Sequence, residues 1–227
     1  MIELTYFGHS TFLMGVNGKK ILFDPFISPN SLAKEIAIDE LCPDYLLVSH
    51  GHEDHVADVE RIARNSGAML VSNFEIVSWF QEKGIRNAHP VNHGGAVTFD
   101  FGQVKYVNAI HSSTMPDGAS GGNPGGFVVE SDAGTFYYAG DTALTYDMKL
   151  IADSFAIDFA VLPIGDNFTM GIKDAIKAAD FVGTETIVGM HYDTFPYITI
   201  DKEAARQAAR DAGKELIVLQ IGESITL

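Results

Sequence analysis

The period with which apolar positions recur changes several times along the chain, and each change marks an element. Residues 2–7, 11–16 and 20–24 are short runs rich in β-branched and aromatic side chains, separated by Gly8 and by Asn17-Gly18, a dipeptide that favours a hairpin turn. Residues 32–41 read as a loop or short helix and 44–49 as a strand. Helical spacing follows over 56–66, stopped by Gly67, and over 74–83, stopped by Gly84, with a strand at 68–72 between them. From Ala96 strands take over, at 96–99, 104–109, 126–130 and 135–139. Helices return at 146–154, 172–182 and 202–212, while 159–162, 186–189 and 216–219 read as buried strands. Each half begins with strands and ends with alternating strand and helix, although no residue-level repeat is present.

Composition narrows the class. A chain of 227 residues with 46% apolar and 11% aromatic side chains fills one sizeable core, and no composition break divides it, so 1–227 is expected to be a single domain. Fifteen basic against 30 acidic residues give a net charge of −15, which repels phosphate backbones and argues against nucleic acid or an anionic membrane as a partner. Cys42 is the only cysteine, so no internal disulfide forms, and its Leu41-Cys42-Pro43 setting reads as buried or half-buried. No apolar stretch approaches the roughly 18 residues of a membrane span, and no basic leader precedes Glu3, so a cytoplasmic protein is expected. Homo-oligomerisation is left open.

The densest chemistry is His50-Gly51-His52-Glu53-Asp54-His55, directly after the strand-like run Asp44-Tyr45-Leu46-Leu47-Val48-Ser49. Three imidazoles and an aspartate crowded at a strand end would be unfavourable without a partner, and a divalent cation is the partner that such donors suit. In extended backbone His50 and His52 point to the same side and can grip one cation, while Asp54 and His55, where the chain enters a helix, can face a second. His111, Asp141 and His191 each follow an apolar strand in the same way. Taken alone, Asp141-Thr142 could equally cap a helix.

With this hexad the chain resembles the metallo-β-lactamase superfamily, whose signature is His-x-His-x-Asp-His. More narrowly, it is similar to small prokaryotic, UPF0173-like metal-dependent hydrolases related to L-ascorbate-6-phosphate lactonase. That likeness rests on Phe7-Gly8-His9-Ser10, Leu22-Phe23-Asp24-Pro25-Phe26, the hexad, Tyr138-Ala139-Gly140-Asp141-Thr142, Leu162-Pro163-Ile164-Gly165 and Gly189-Met190-His191-Tyr192, in the family's order. It implies an α+β fold, a four-layer αββα sandwich, with two divalent metal ions: zinc first, manganese or nickel as alternatives. It assigns His50, His52 and His111 to one ion and Asp54, His55 and His191 to the other, with Asp141 bridging. His9 would lie beside the metals as a proton donor, substrate contact or extra ligand, and Asp24 would orient a ligand imidazole. The implied activity is hydrolysis of an ester, lactone or phosphodiester by hydroxide generated between the ions, with Asp54 orienting it and a small molecule as substrate. A nuclease of the same superfamily and a non-catalytic metal-binding scaffold are the alternatives; a di-iron oxidoreductase fits less well, because such relatives carry glutamate at the position of His52.

Other positions stay open. Residues 112–126, with five glycines and two prolines, are either a plain connection or a lid over the site. Family members commonly carry two glycines after Pro-Ile where this chain has Gly165-Asp166, and a carboxylate near the mouth would discourage anionic substrates. Tyr192 and Asn167 could reach the substrate. His89 and His93, flanking Pro90 in an expected loop, receive no role. A Gly-x-Ser-x-Gly elbow and a dinucleotide or phosphate-loop fingerprint are both absent from the sequence.

Overall fold

The computed structural model describes residues 1–227. Two seven-stranded sheets form, and each passes from an antiparallel meander into a parallel region. In the first, β1 (Glu3–Gly8), β2 (Thr11–Val16) and β3 (Lys19–Phe23) pair antiparallel, and β4 (Tyr45–Leu47), β5 (Met69–Asn73) and β6 (Ala88–Val91) add in parallel. In the second, β7 (Ala96–Phe99), β8 (Gly102–Asn108), β9 (Gly125–Ser131) and β10 (Gly134–Tyr138) are antiparallel, followed by parallel β11 (Phe159–Pro163), β12 (Thr186–Met190) and β13 (Glu215–Ile217). The last strand, β14 (Ser224–Thr226), returns to the free edge of β1.

Parallel neighbours need crossovers, and helices supply most of them. α1 (Glu53–Val56) and α2 (Val59–Ser66) link β4 to β5, and α3 (Phe74–Glu82) links β5 to β6. α4 (Met148–Ala152), α5 (Ile172–Val182) and α6 (Lys202–Asp211) serve the second sheet in the same way. Between the sheets Phe23 meets Phe127, Phe136 and Tyr138 at ring-centroid distances of 6.2, 6.0 and 4.6 Å. Outside the first sheet, Leu22, Leu46, Val48 and Leu70 pack under Val59, Ile62, Ile76 and Phe80 of α2 and α3. Outside the second, Ala175, Ala178, Ala179, Ala205 and Ala209 let α5 and α6 seat closely on the strands. The order helix, sheet, sheet, helix is the expected α+β sandwich.

Several expectations need correction. The helix expected over 56–66 is two helices, because Asp58 breaks it: its N–H donates to Pro25 O, and its carboxylate accepts from the N–H groups of Ile27 and Ser28 (2.6 and 2.8 Å) and from the Ser28 hydroxyl. β6 and β14 were not expected; β6 is an edge strand where Pro90 is tolerated, and it carries His89 out of the expected loop. The helix expected over 146–154 contracts to α4, and 32–41 holds only one 3₁₀ turn, Ile38–Glu40. Cys42 is exposed rather than buried. No helix is long and apolar enough to cross a membrane.

Candidate metal centre

The chemistry collects where strands of both sheets end. His9 follows β1, Asp24 follows β3, the hexad follows β4, His111 and Asp141 lie just beyond β8 and β10, and His191 follows β12. At three of these exits the strand is stopped by a non-glycine residue in the left-handed region: His9 at φ 55°, Asp24 at 41° and His191 at 56°. Such backbone is disfavoured for L-residues and persists where packing fixes it, commonly at functional sites. Gly165 is needed beside it, because any Cβ there would collide with the His191 carbonyl.

Besides a fully buried trio, Asp24–His50–His55, two groups of potential ligands result, His50–His52–His111 and His9–Asp54–His55–His191, the ligand atoms of each lying within 4.8 Å of one another. Asp141 stands between them, with Oδ1 3.3 Å from His55 Nε2 and Oδ2 3.0 Å from His191 Nε2 and 3.5 Å from His111 Nε2. His55 Nε2 and Asp141 Oδ1 are buried, and neither has a hydrogen-bond partner. Orphaned atoms of this kind are costly unless something else satisfies them, and an imidazole nitrogen facing a carboxylate oxygen is a fitting donor pair for a divalent cation. The residues present therefore fit a metal centre. His111 and Asp54 are partly exposed, their side chains at 14% and 24%, so the centre opens to solvent on their side.

One buried carboxylate organises both groups. Asp24 accepts hydrogen bonds from Ser49 N and Oγ (2.7 and 2.6 Å), from Tyr138 OH (2.8 Å) and from His55 Nδ1 (2.8 Å). Ser49 Oγ, its proton committed to Asp24, accepts from His50 Nδ1 at 3.0 Å. In both His50 and His55 Nδ1 is therefore the donor, which leaves Nε2 as the nitrogen that faces the centre. The expected orienting role of Asp24 has a geometric basis, and Ser49 extends it to the other group.

Electrostatics in the metal-free chain separate the two groups. Burial pushes His50 well below the usual histidine range, helped by the charge on His55, and burial lowers His52 and His111 as well. For His55 burial is outweighed by the carboxylates of Asp141, Asp24 and Asp54, which hold it well above that range. Burial would likewise raise Asp141 and Asp54, yet His191 and His55 hold the first, and His55 and His9 the second, below the carboxylate range. Three carboxylates converging on one imidazole form the kind of negative concentration that a cation relieves.

His9 is buried with both nitrogens engaged: Nε2 meets Asp54 Oδ2 and Nδ1 meets Thr194 Oγ1, each at 3.0 Å. Burial brings it down to about 4, so it is neutral, with its proton on Nε2 toward Asp54. Asp141-Thr142 caps no helix, since the next one, α4, begins at Met148. Thr142 instead binds Ile110 N through Oγ1 and Met170 N through its carbonyl, joining two loops at the floor of the centre. Tyr192 is buried with its hydroxyl donated to Leu219 O, and it lines a cavity together with His9 and Thr194. Asp166 and Asn167 are exposed on a left-handed turn (φ 62° and 58°). His93 binds Pro124 O, and neither it nor His89 approaches the ligand groups. Residues 112–126 are tied down: Ser113 Oγ accepts from Gly51 N, Met115 is buried, and Asn73 Nδ2 donates to Gly121 O and Asn123 O. Ser112 Oγ, which sequence reasoning missed, lies 3.2 Å from His52 Nε2.

A family model described as a beta-lactamase superfamily domain matches residues 3–191. The chain is 53% identical over 227 residues to a UPF0173 metal-dependent hydrolase of Christiangramia forsetii and 54% identical over 226 residues to one of Flavobacterium johnsoniae, each match covering 100% of both chains. Among solved structures, Igni18, a metallo hydrolase from the archaeon Ignicoccus hospitalis, superposes with a TM-score of 0.90 at 35% identity, covering 100% of this chain and 98% of that one. An isothiocyanate hydrolase from Delia radicum gut bacteria shares the fold, with a TM-score of 0.80 at 19% identity over 99% and 98% of the two chains. The chain thus belongs to the beta-lactamase superfamily, within its UPF0173 metal-dependent hydrolases.

Proposed function

We propose that the chain is a dinuclear hydrolase of small, uncharged esters or lactones, with phosphodiesters as a second substrate class, acting as one unit over 1–227 in the cytoplasm. Asp141 carries the reading: it is a buried carboxylate in reach of both ligand groups, with one oxygen left without a partner. His50, His52 and His111 would hold one ion and Asp54, His55 and His191 the other, with Asp141 touching both. Zinc is the first choice, and manganese or nickel would also suit, since nitrogen-rich sites select weakly among them. Two divalent ions in such a site ionise water near neutral pH and polarise the scissile oxygen.

The chain's own residues supply the rest. Asp54, partly exposed and on the open side, orients the attacking group. Thr194 and His9 form a chain that holds Asp54 from behind, and His9 Nε2–H is the proton nearest that carboxylate. The narrower likeness to L-ascorbate-6-phosphate lactonase rests on sequence motifs alone, and the exposed Asp166 works against an anionic sugar phosphate. Metal analysis of reloaded protein, followed by a screen of esters, lactones and phosphodiesters, tests the proposal. Metal-dependent turnover of a neutral ester or lactone supports it. Two bound ions with no turnover of any class would leave a metal-binding scaffold instead.

A further inference from the structure

Three large apolar side chains are left in water on the loops that follow β8, β11 and β12. Ile110 is 52% exposed beside His111, Phe168 is 52% exposed at the tip of the 165–171 excursion, and Tyr197 is 74% exposed in the turn after His191. Phe168 and Tyr197 meet edge to face, with centroids 6.1 Å apart and planes at 75°. The three come from separate loops, yet each loop is fastened to the ligands. Thr142, next to Asp141, binds Ile110 N at 3.0 Å through Oγ1 and Met170 N at 3.1 Å through its carbonyl, and the Ala143 N–H donates back to Ile110 O at 3.0 Å. Gly165 and Gly171 bridge at the base of the Phe168 loop, and Gly165 lies against the His191 carbonyl with Ile198 beside it. The Tyr197 turn is closed by Asp193 N donating to Ile198 O at 2.8 Å.

We infer that Ile110, Phe168 and Tyr197 form an apolar rim that selects substrates whose group next to the scissile bond is apolar and uncharged, aromatic groups above all. This deepens the proposed hydrolase and rests on that reading. Exposed aromatic side chains cost solvation in the free protein, and a flat apolar group laid against them removes their surface from water. Asp166 and Asn167 carry the Phe168 loop in left-handed backbone, and Thr142 anchors its far end at Met170. Asp166, exposed within the same excursion, sets the charge preference by repelling anions.

Calorimetry on the metal-loaded protein with benzohydroxamate and acetohydroxamate tests this without turnover, because the two probes share a metal-binding head and differ in the apolar group. Benzohydroxamate should bind about 10-fold more tightly, the scale of discrimination a small apolar contact gives. In Phe168→Ser and Tyr197→Ser that ratio should fall toward one, with metal content equal to the unmodified protein's. A ratio near one in the unmodified protein, or a ratio unchanged in the variants, overturns the inference. So does a native oligomer that Phe168→Ser turns into monomers in sedimentation, since the rim would then face a second copy. An aromatic preference without hydrolysis of any ester or lactone would keep the rim and remove the hydrolase. Failure of both probes to bind would remove an open metal centre and the rim with it.

Discussion

Asp24 makes four hydrogen bonds at the junction of the sheets, holding His55 directly and His50 through Ser49. Asp24→Ala would strand the donors of Ser49, His55 and Tyr138 in the interior. The expected loss is about 3–5 kcal/mol of stability, read from urea unfolding of metal-free protein, with metal affinity weakened about 10- to 100-fold. Tyr138→Phe removes one of those donors and keeps the packing against Phe23, so about 2 kcal/mol is expected, with metal content retained. His9→Ala separates positioning from ligation. If His9 serves Asp54, both ions stay while turnover falls about 100-fold or more; joint loss of an ion and activity, measured on one preparation, would make it a ligand. The ligand candidates were legible in sequence because four fall in one hexad and the others each follow an apolar strand. Ser49 and Ser112 adjoin those histidines, and adjacency was the available signal. Thr194 is 185 residues from His9 in the chain, and nothing local announces the pairing.

At the level of elements, the strand exits decide the site. Gly140 lies between β10 and Asp141 at φ 60°, and a Cβ there would sit 2.6 Å from the Ser49 Cβ. Gly140→Ala should force the ends of β4 and β10 apart, costing about 1–3 kcal/mol and lowering metal occupancy. An unchanged midpoint and metal content would show that the exits tolerate movement the account denies them. Apolar runs disclosed most strands because buried sheets write near-continuous patterns. β6 and β14 escaped because a short edge strand holding Pro90, and one that exists only by pairing with β1, have no local pattern of their own. The break between α1 and α2 escaped for a similar reason, since Asp58 is recruited by Ile27 and Ser28, far away in sequence.

At the scale of the whole molecule, the two sheets meet along one core, and seven polar residues from both close around one centre. Binding there should stabilise the entire fold: an ion at 100 times its dissociation constant contributes about 2.7 kcal/mol. For a chain of this size, chelation should lower the melting temperature on the order of 5–10 °C. The sandwich was foreseeable from the resemblance and the strand–helix rhythm, while the meeting of the two halves at one edge is a tertiary fact that no single stretch encodes. Anomalous diffraction from zinc-reloaded crystals tests the central claim most directly. The account predicts two peaks, one among His50, His52 and His111 and one among Asp54, His55 and His191, with Asp141 in contact with both; no peak at either group, or an Asp141 remote from any ion, would contradict it.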